Sequence, residues 1–296
     1  MKNWIEASRL RTLPLALSSI FMGSAFIPTG THFIMVLTLA ALTTLLLQIL
    51  SNLANDYGDF QNGADNDKRV GPSRAVQTGA ISPRSMKIGI GFMAFLSFLS
   101  GCALLIVGFG EAHWQMLLLF LFFGLLAIAA ALKYTAGKNP YGYRALGDVS
   151  VFLFFGILGV MGTHYLHEAS VSFESILLAL VAGSLSTSVL NLNNLRDIRN
   201  DAASGKRTIP VLIGFSKGKI YHTCLILGAW TALFALLLTY KNPTWAWFVV
   251  LILPAHILHL KKVFKTQEPA MLDPELKKIA LSTFAISLIL LLLGTL

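Results

Sequence analysis

Asn55 and Asp59 stand four residues apart, and Asn193, Asp197 and Asp201 repeat that interval further along the chain. On a helix, residues four apart share a face, one turn above the other, so each set can aim its oxygens at one point. Carboxylate and amide oxygens suit Mg2+, a cation that keeps open positions for substrate phosphates. Bases follow each set: Lys68, Arg69 and Arg74 after the first, Lys206 and Arg207 after the second. Acids alone describe a cation site. Acids followed by bases describe a metal and an anion together, and diphosphate is the natural anion. The competing structural reading is that Asx side chains cap helix ends while bases mark one membrane face. Two copies with the same order of amide, acid and base weigh against it.

These sets need helices to carry them, and the sequence supplies long ones. The chain has 296 residues, of which 55% are hydrophobic and only 12% charged, with a mean hydropathy of +0.69. A soluble domain carries about 25% charged residues and avoids large exposed apolar patches. Nine apolar stretches can be marked, at about 13–27, 33–52, 88–107, 114–132, 149–165, 176–192, 220–240, 245–260 and 279–293. Each comes close to the length that crosses a bilayer core, the first and last being the shortest. With the segments between them assigned alternately inside and outside, all of the 23 Lys and Arg residues except Lys241 fall on the inside. The positive-inside rule then puts the N-terminus in the cytoplasm and the C-terminus outside. The expected fold is therefore all-α, a polytopic membrane protein with nine transmembrane helices forming one domain over residues 1–296.

The acid sets follow the second and sixth stretches. These are an even number of helices apart, so both sets share one orientation and one membrane face, the cytoplasmic one. Residues 55–65 read NDYGDFQNGAD and residues 193–201 read NNLRDIRND, which implies a pseudo-twofold repeat of four-helix units about an axis along the membrane normal. The net charge of +9 marks cytoplasmic loops and contact with anionic lipid, with no call for nucleic acid. Cys102 and Cys224 lie in apolar stretches and suggest neither disulfide nor metal. The first stretch reaches Pro28 without an Ala-x-Ala-like cleavage site, so it reads as a retained helix. His164, His167 and Glu168 are placed in an outside loop away from the acids, an interfacial cluster and no metal centre. A further cytoplasmic loop, 133–148, reads KYTAGKNPYGYRALGD and could cover the acids.

Together these residues resemble the UbiA-type intramembrane aromatic prenyltransferases, over essentially the whole chain. The family's Asn-x-x-x-Asp-x-x-x-Asp motif matches Asn193, Asp197 and Asp201 directly. The first copy matches at Asn55, Asp59 and Asp65, with two extra residues before the last Asp. The family's Tyr-x-x-x-Lys loop motif matches Tyr134 and Lys138. The stretches 51–59 (SNLANDYGD), 71–75 (GPSRA), 193–197 (NNLRD) and 205–208 (GKRT) resemble the branch that acts on 1,4-dihydroxy-2-naphthoate.

The resemblance implies Mg2+ as cofactor, held by Asp56, Asp59, Asp197 and Asp201, with Asp65 a further ligand. It implies a polyprenyl diphosphate donor bound through Asn55, Lys68, Arg69, Arg74, Tyr134, Lys138, Asn193, Lys206 and Arg207. Asp59, Asp197 and Lys138 would be the catalytic groups, stabilising charge on the departing diphosphate. The acceptor would be 1,4-dihydroxy-2-naphthoate, losing CO2 as it is prenylated, and the tail would lie in an apolar groove open to membrane lipid. Two rivals remain at this stage. One is the same fold with another acceptor, such as 4-hydroxybenzoate, a chlorophyllide or a haem. The other is a secondary transporter or Mg2+ channel, although transporters put their ionisable groups near the midplane and these acids sit at helix ends.

Overall fold

The computed structural model describes residues 1–65, 70–110, 113–239 and 246–294. Lys68 and Arg69, two of the expected anion-binding bases, lie outside the described residues, as does Lys241. The apolar stretches fold as helices because, in hydrocarbon, each backbone N–H and C=O must be satisfied within its own segment. In chain order these are α1 (Lys2–Ala7), α2 (Leu13–Gly23), α3 (Thr31–Gln61), α4 (Pro83–Phe109) and α5 (Trp114–Lys133), then α6 (Gly147–Val151), a π-turned stretch (Phe152–Met161) and α7 (Gly162–Glu168). The second half holds α8 (Phe173–Arg196), α9 (Ile198–Ala203), α10 (Ile209–Ile213), α11 (Phe215–Thr239), α12 (Leu253–Lys265) and α13 (Asp273–Gly294). Among the described residues there is no strand.

Helices lie over all nine expected stretches. Among the described residues, seven are long and apolar enough to cross a membrane: α3, α4, α5, the continuous rod Gly147–Glu168, α8, α11 and Trp247–Lys265. The other two are α2, with 11 residues, and α13, whose first turn carries Asp273 and Glu275. α2 stops at Gly23, and the chain turns through Phe26 in the left-handed region (φ 63°). His164, His167 and Glu168, expected in a loop, form the last turns of α7. His167 there meets Ser24 Oγ at 2.9 Å and stacks on Phe33.

α8 is the central element. It is buried along most of its span, whereas α5 has no fully buried residue. Leu178, Leu185 and Leu192 of α8 form one core with Leu233 and Leu236 of α11 and Leu290 of α13. The π-turned stretch packs closely against α8 because both are small where they meet. A Cβ on Gly156 would fall 2.6 Å from the Ala179 carbonyl oxygen, and one on Gly183 would fall 2.8 Å from the Phe152 ring. A second, smaller core joins Val36 and Ala40 of α3 to Leu104, Leu105 and Phe109 of α4. At 1.5 Å per residue, the 31 residues of α3 reach about 46 Å, well past a hydrocarbon core of about 30 Å. Its last turns, which carry Asn55, Asp56 and Asp59, therefore have room to stand beyond the apolar layer.

Candidate active site

The first acid set occupies the C-terminal turns of α3. Asp56, Asp59 and Asp65 are all buried. Both oxygens of Asp56 accept backbone N–H groups, from Ala75 at 3.0 Å and Val76 at 3.3 Å, so this carboxylate pins the loop that carries Arg74. Asp59 Oδ1 accepts the Tyr143 hydroxyl at 2.9 Å. The two extra residues before Asp65 are absorbed by the helix end. Gly63 takes the left-handed conformation (φ 71°), and the N–H groups of Ala64 and Asp65 return to the Asp59 carbonyl at 3.0 and 3.3 Å, a Schellman-type stop. Asp65 then faces Arg74, its Oδ2 lying 3.6 Å from Nε.

The second set spans the join between α8 and α9. Asp197 caps α8 with φ −93° and ψ 6°, yet the spacing of four survives the bend. The N–H of Asp197 donates to the Asn193 carbonyl at 3.1 Å, and that of Asp201 to the Asp197 carbonyl at 2.8 Å. Arg196 grips both oxygens of Asp197, at 2.9 and 2.6 Å, and reaches Asn193 Oδ1 at 2.9 Å and Asp273 at 2.6 Å. Asp201 has Lys206 Nζ at 3.7 Å, and the same ammonium lies over the Tyr143 ring.

The two sets meet. Asn200 Nδ2 donates to the Ala64 carbonyl at 2.9 Å, and the Arg207 N–H donates to the Tyr143 carbonyl at 3.1 Å. The loop after α5 completes the enclosure. Thr135 Oγ1 donates to Asn55 Oδ1 at 3.2 Å, and Asn62 Nδ2 donates to the Thr135 carbonyl at 2.8 Å. Gly58 allows this approach, since a Cβ there would lie 2.6 Å from the Thr135 carbonyl carbon and 2.7 Å from the Ala136 nitrogen. Beside the acids a cavity of about 370 Å³ opens among α2, α3, α4, α5 and the π-turned stretch. Asn55, Tyr134 and Tyr141 line its polar part, and Leu104, Phe120, Phe154 and Leu158 its apolar walls.

The loop tyrosines are fixed as neutral donors. Burial first, then the charge and hydrogen bond of Asp59, push the Tyr143 phenol far above its ordinary range. Burial, followed by the charges of Asp148 and other neighbours including Asp59 and Asp201, does the same to Tyr134. A phenol that holds its proton can donate a hydrogen bond to a carboxylate or an anion and cannot act as a base.

The structure thus brings together Asn55, Asp56, Asp59, Asp65, Arg74, Asn193, Asp197, Asp201 and Lys206. Lys138 and Arg207 are exposed on the loops around them. Among the described residues, no three of the His, Cys, Asp and Glu side chains are gathered closely enough to hold a metal ion; Asp56, Asp59 and Asp197 accept hydrogen bonds from the chain, and Asp65 and Asp201 face Arg74 and Lys206 at ion-pair range. The buried oxygen donors fit Mg2+ by type. Arg196, Tyr143, Asn200 and Asp273 escaped the sequence reading. The signal for Arg196 is a base inside the motif itself.

A family model described as the UbiA prenyltransferase family matches residues 16–293. The chain belongs to the UbiA prenyltransferase family. UbiA membership and seven long apolar helices make it an integral membrane protein. It is 44% identical to the 1,4-dihydroxy-2-naphthoate octaprenyltransferase of Haemophilus influenzae, over 98% of this chain and 94% of that one. It is 41% identical to the Escherichia coli protein of the same name, over 93% and 89% of the two chains. Among solved structures, a UbiA homolog from Archaeoglobus fulgidus bound to DMAPP and Mg2+ shares the fold, with a TM-score of 0.67 at 16% identity, covering 98% of this chain and 99% of that one. In this chain the two motif segments meet through Asn200 and Ala64, and Asn55 of the first lines the cavity.

Proposed function

We propose that this UbiA protein transfers a polyprenyl group from polyprenyl diphosphate to 1,4-dihydroxy-2-naphthoate, releasing diphosphate and CO2, as a step of menaquinone biosynthesis. The observation that carries the reading is the 44% identity, over nearly the full length of both chains, to a relative named for that acceptor. The geometry agrees with it. Asn55 and Tyr134 line the polar end of an apolar cavity, and Asn55 adjoins the buried acids of α3, as a substrate with a diphosphate head and a hydrocarbon tail requires.

In this reading Asp59, Asp65, Asp197 and Asp201 hold Mg2+, which when bound supplies positive charge for the leaving diphosphate. Asp56 contributes chiefly by fixing the Ala75–Val76 backbone, and with it Arg74. Arg74, Lys206 and, from their exposed loops, Lys138 and Arg207 offer cations to the phosphate oxygens; Lys68 and Arg69 extend that set. As the allylic C–O bond breaks, charge grows on those oxygens, so fixed cations stabilise the transition state more than the ground state. Asn55 and Asn193 orient the head group. Tyr143, protonated, holds Asp59 in place, and Tyr134, protonated, donates a hydrogen bond to the head group. The apolar walls at Leu104, Phe120 and Phe154 receive the tail and keep water from the allylic cation until the naphthoate ring attacks.

The same reading takes α2 and α13 as spans, giving nine, with the N-terminus cytoplasmic and the halves related by a pseudo-twofold axis. It forms one domain in the bacterial inner membrane with its site on the cytoplasmic side. Supporting this are the helices over all nine stretches and the bias of basic residues to one side. The test uses membranes containing the chain, supplied with 1,4-dihydroxy-2-naphthoate, labelled long-chain prenyl diphosphate and Mg2+. Lipid-soluble product and CO2 that both vanish with EDTA are expected. Product from 4-hydroxybenzoate and none from the naphthoate would replace the acceptor.

A further inference from the structure

Arg196 is 3% exposed, and its guanidinium is fully committed. Nε and Nη2 take both oxygens of Asp197 at 2.9 and 2.6 Å, Nη2 also reaches Asn193, and Nη1 lies 2.6 Å from Asp273. We propose that Arg196 is a resident countercation that makes metal binding at Asp197 conditional on diphosphate. The inference rests on the reading of the acid motifs as a metal and diphosphate site.

A buried carboxylate must be paired, and the planar fork of an arginine satisfies both oxygens at once. A divalent cation arriving alone meets a carboxylate already neutralised, with a fixed positive charge at hydrogen-bond range, and like charges at that range oppose one another. A cation arriving with diphosphate carries excess negative charge, for which the same guanidinium is a partner. One side chain therefore weakens the binding of metal alone and strengthens the binding of metal with diphosphate.

Asp273 sets how strongly Arg196 acts. Its carboxylate, 44% exposed, draws part of the guanidinium toward the start of α13. That helix end is itself pinned, because Glu275 meets His259 at 2.7 Å and Lys278 at 2.6 Å, and His259 meets His222 of α11 at 2.8 Å. With Asp273 fixed, the charge of Arg196 is shared between two elements instead of resting wholly on Asp197. Among the described residues, the donor to Asp59 is the neutral phenol of Tyr143. Arg196 is thus a positioning residue for Asp197, acting on the order in which the site fills.

The test measures binding of Mn2+, as a probe, to the purified full chain in detergent by equilibrium dialysis, with and without inorganic diphosphate. The wild type is expected to bind Mn2+ far better with diphosphate than without. Arg196→Gln should bind Mn2+ alone about tenfold or more tightly than the wild type, the effect of removing one adjacent charge, and should lose most of the diphosphate enhancement. Arg196→Lys, which keeps the charge and lacks the fork, should fall between them. Asp273→Asn, which leaves the guanidinium undivided on Asp197, should shift the other way and bind Mn2+ alone more weakly. Folded Arg196→Gln protein with unchanged or weaker affinity for Mn2+ alone overturns the inference. Should that variant not fold, the opposite shifts of Arg196→Lys and Asp273→Asn decide, and shifts in the same direction overturn it. A folded wild type that binds no Mn2+ even with diphosphate overturns the site reading as well, whereas diphosphate-dependent binding with unshifted variants overturns this inference alone.

Discussion

Asp59 and Asp197 occupy matching places in the two motifs and are held by unlike donors, a phenol and a guanidinium. Asp59→Asn or Asp197→Asn should abolish prenyl transfer while the protein still reaches the membrane folded; turnover near the wild-type rate in either would remove that acid from the metal set. Tyr143→Phe deletes a hydrogen bond to a charged group, a loss of about 1.5–3 kcal/mol, so kcat should fall roughly tenfold to a hundredfold with the fold intact. The phenols of Tyr134 and Tyr143 ionise less readily folded than unfolded, where the ordinary value is 10.0. Above that value the unfolded chain has lost protons that the folded one keeps, so stability falls as the pH rises. The melting temperature should therefore drop between about pH 9 and about pH 11, less steeply in Tyr143→Phe. The acids were legible in the sequence because each motif is local. Their donors were not: Tyr143 is 84 residues from Asp59 and Asp273 is 77 from Arg196, and no spacing rule connects such pairs.

At the scale of elements, the loop between α5 and α6 acts as a fitted cover on the end of α3. Its seat depends on Gly58, where any side chain would collide with Thr135 and Ala136. Gly58→Ala should cost about 1–3 kcal/mol as an overpacked contact and should lower activity further by lifting the loop that carries Tyr134, Lys138 and Tyr143. A melt shifted downward with activity lost beyond the unfolded fraction is the expected result; an unshifted melt would mean that the loop does not sit there. Hydropathy located these helices well and their ends poorly. The apolar stretch at 33–52 is only part of α3, which continues to Gln61 because backbone hydrogen bonding carries a helix onward through polar residues. The π-turned stretch could not be read from hydropathy, since Phe152–Met161 is uniformly apolar.

For the whole molecule, the arrangement of spans is a statement about sides. Lys138→Cys should react with a membrane-impermeant maleimide only after cells are opened, and Lys241→Cys should react in intact cells; both labelling from the same side would break the nine-span topology. The all-helical architecture and the paired motifs could be read from periodicity, charge bias and repetition, whereas the central place of α8 could not, because α5 is just as apolar and lies at the periphery. The bond from Asn200 to the Ala64 carbonyl is neutral, and so is the one from Arg207 to Tyr143. Within each half, meanwhile, the acids meet cations or donors from that same half: Arg74 and Tyr143 for the first, Arg196 and Lys206 for the second. During synthesis the first half can enter the bilayer with its motif carboxylates already compensated, and the second can join it later through shape, neutral hydrogen bonds and the Lys206 ammonium over the Tyr143 ring. Two polypeptides divided between Glu168 and Phe173 and made in the same cell should then find each other and restore prenyl transfer, which neither piece performs by itself.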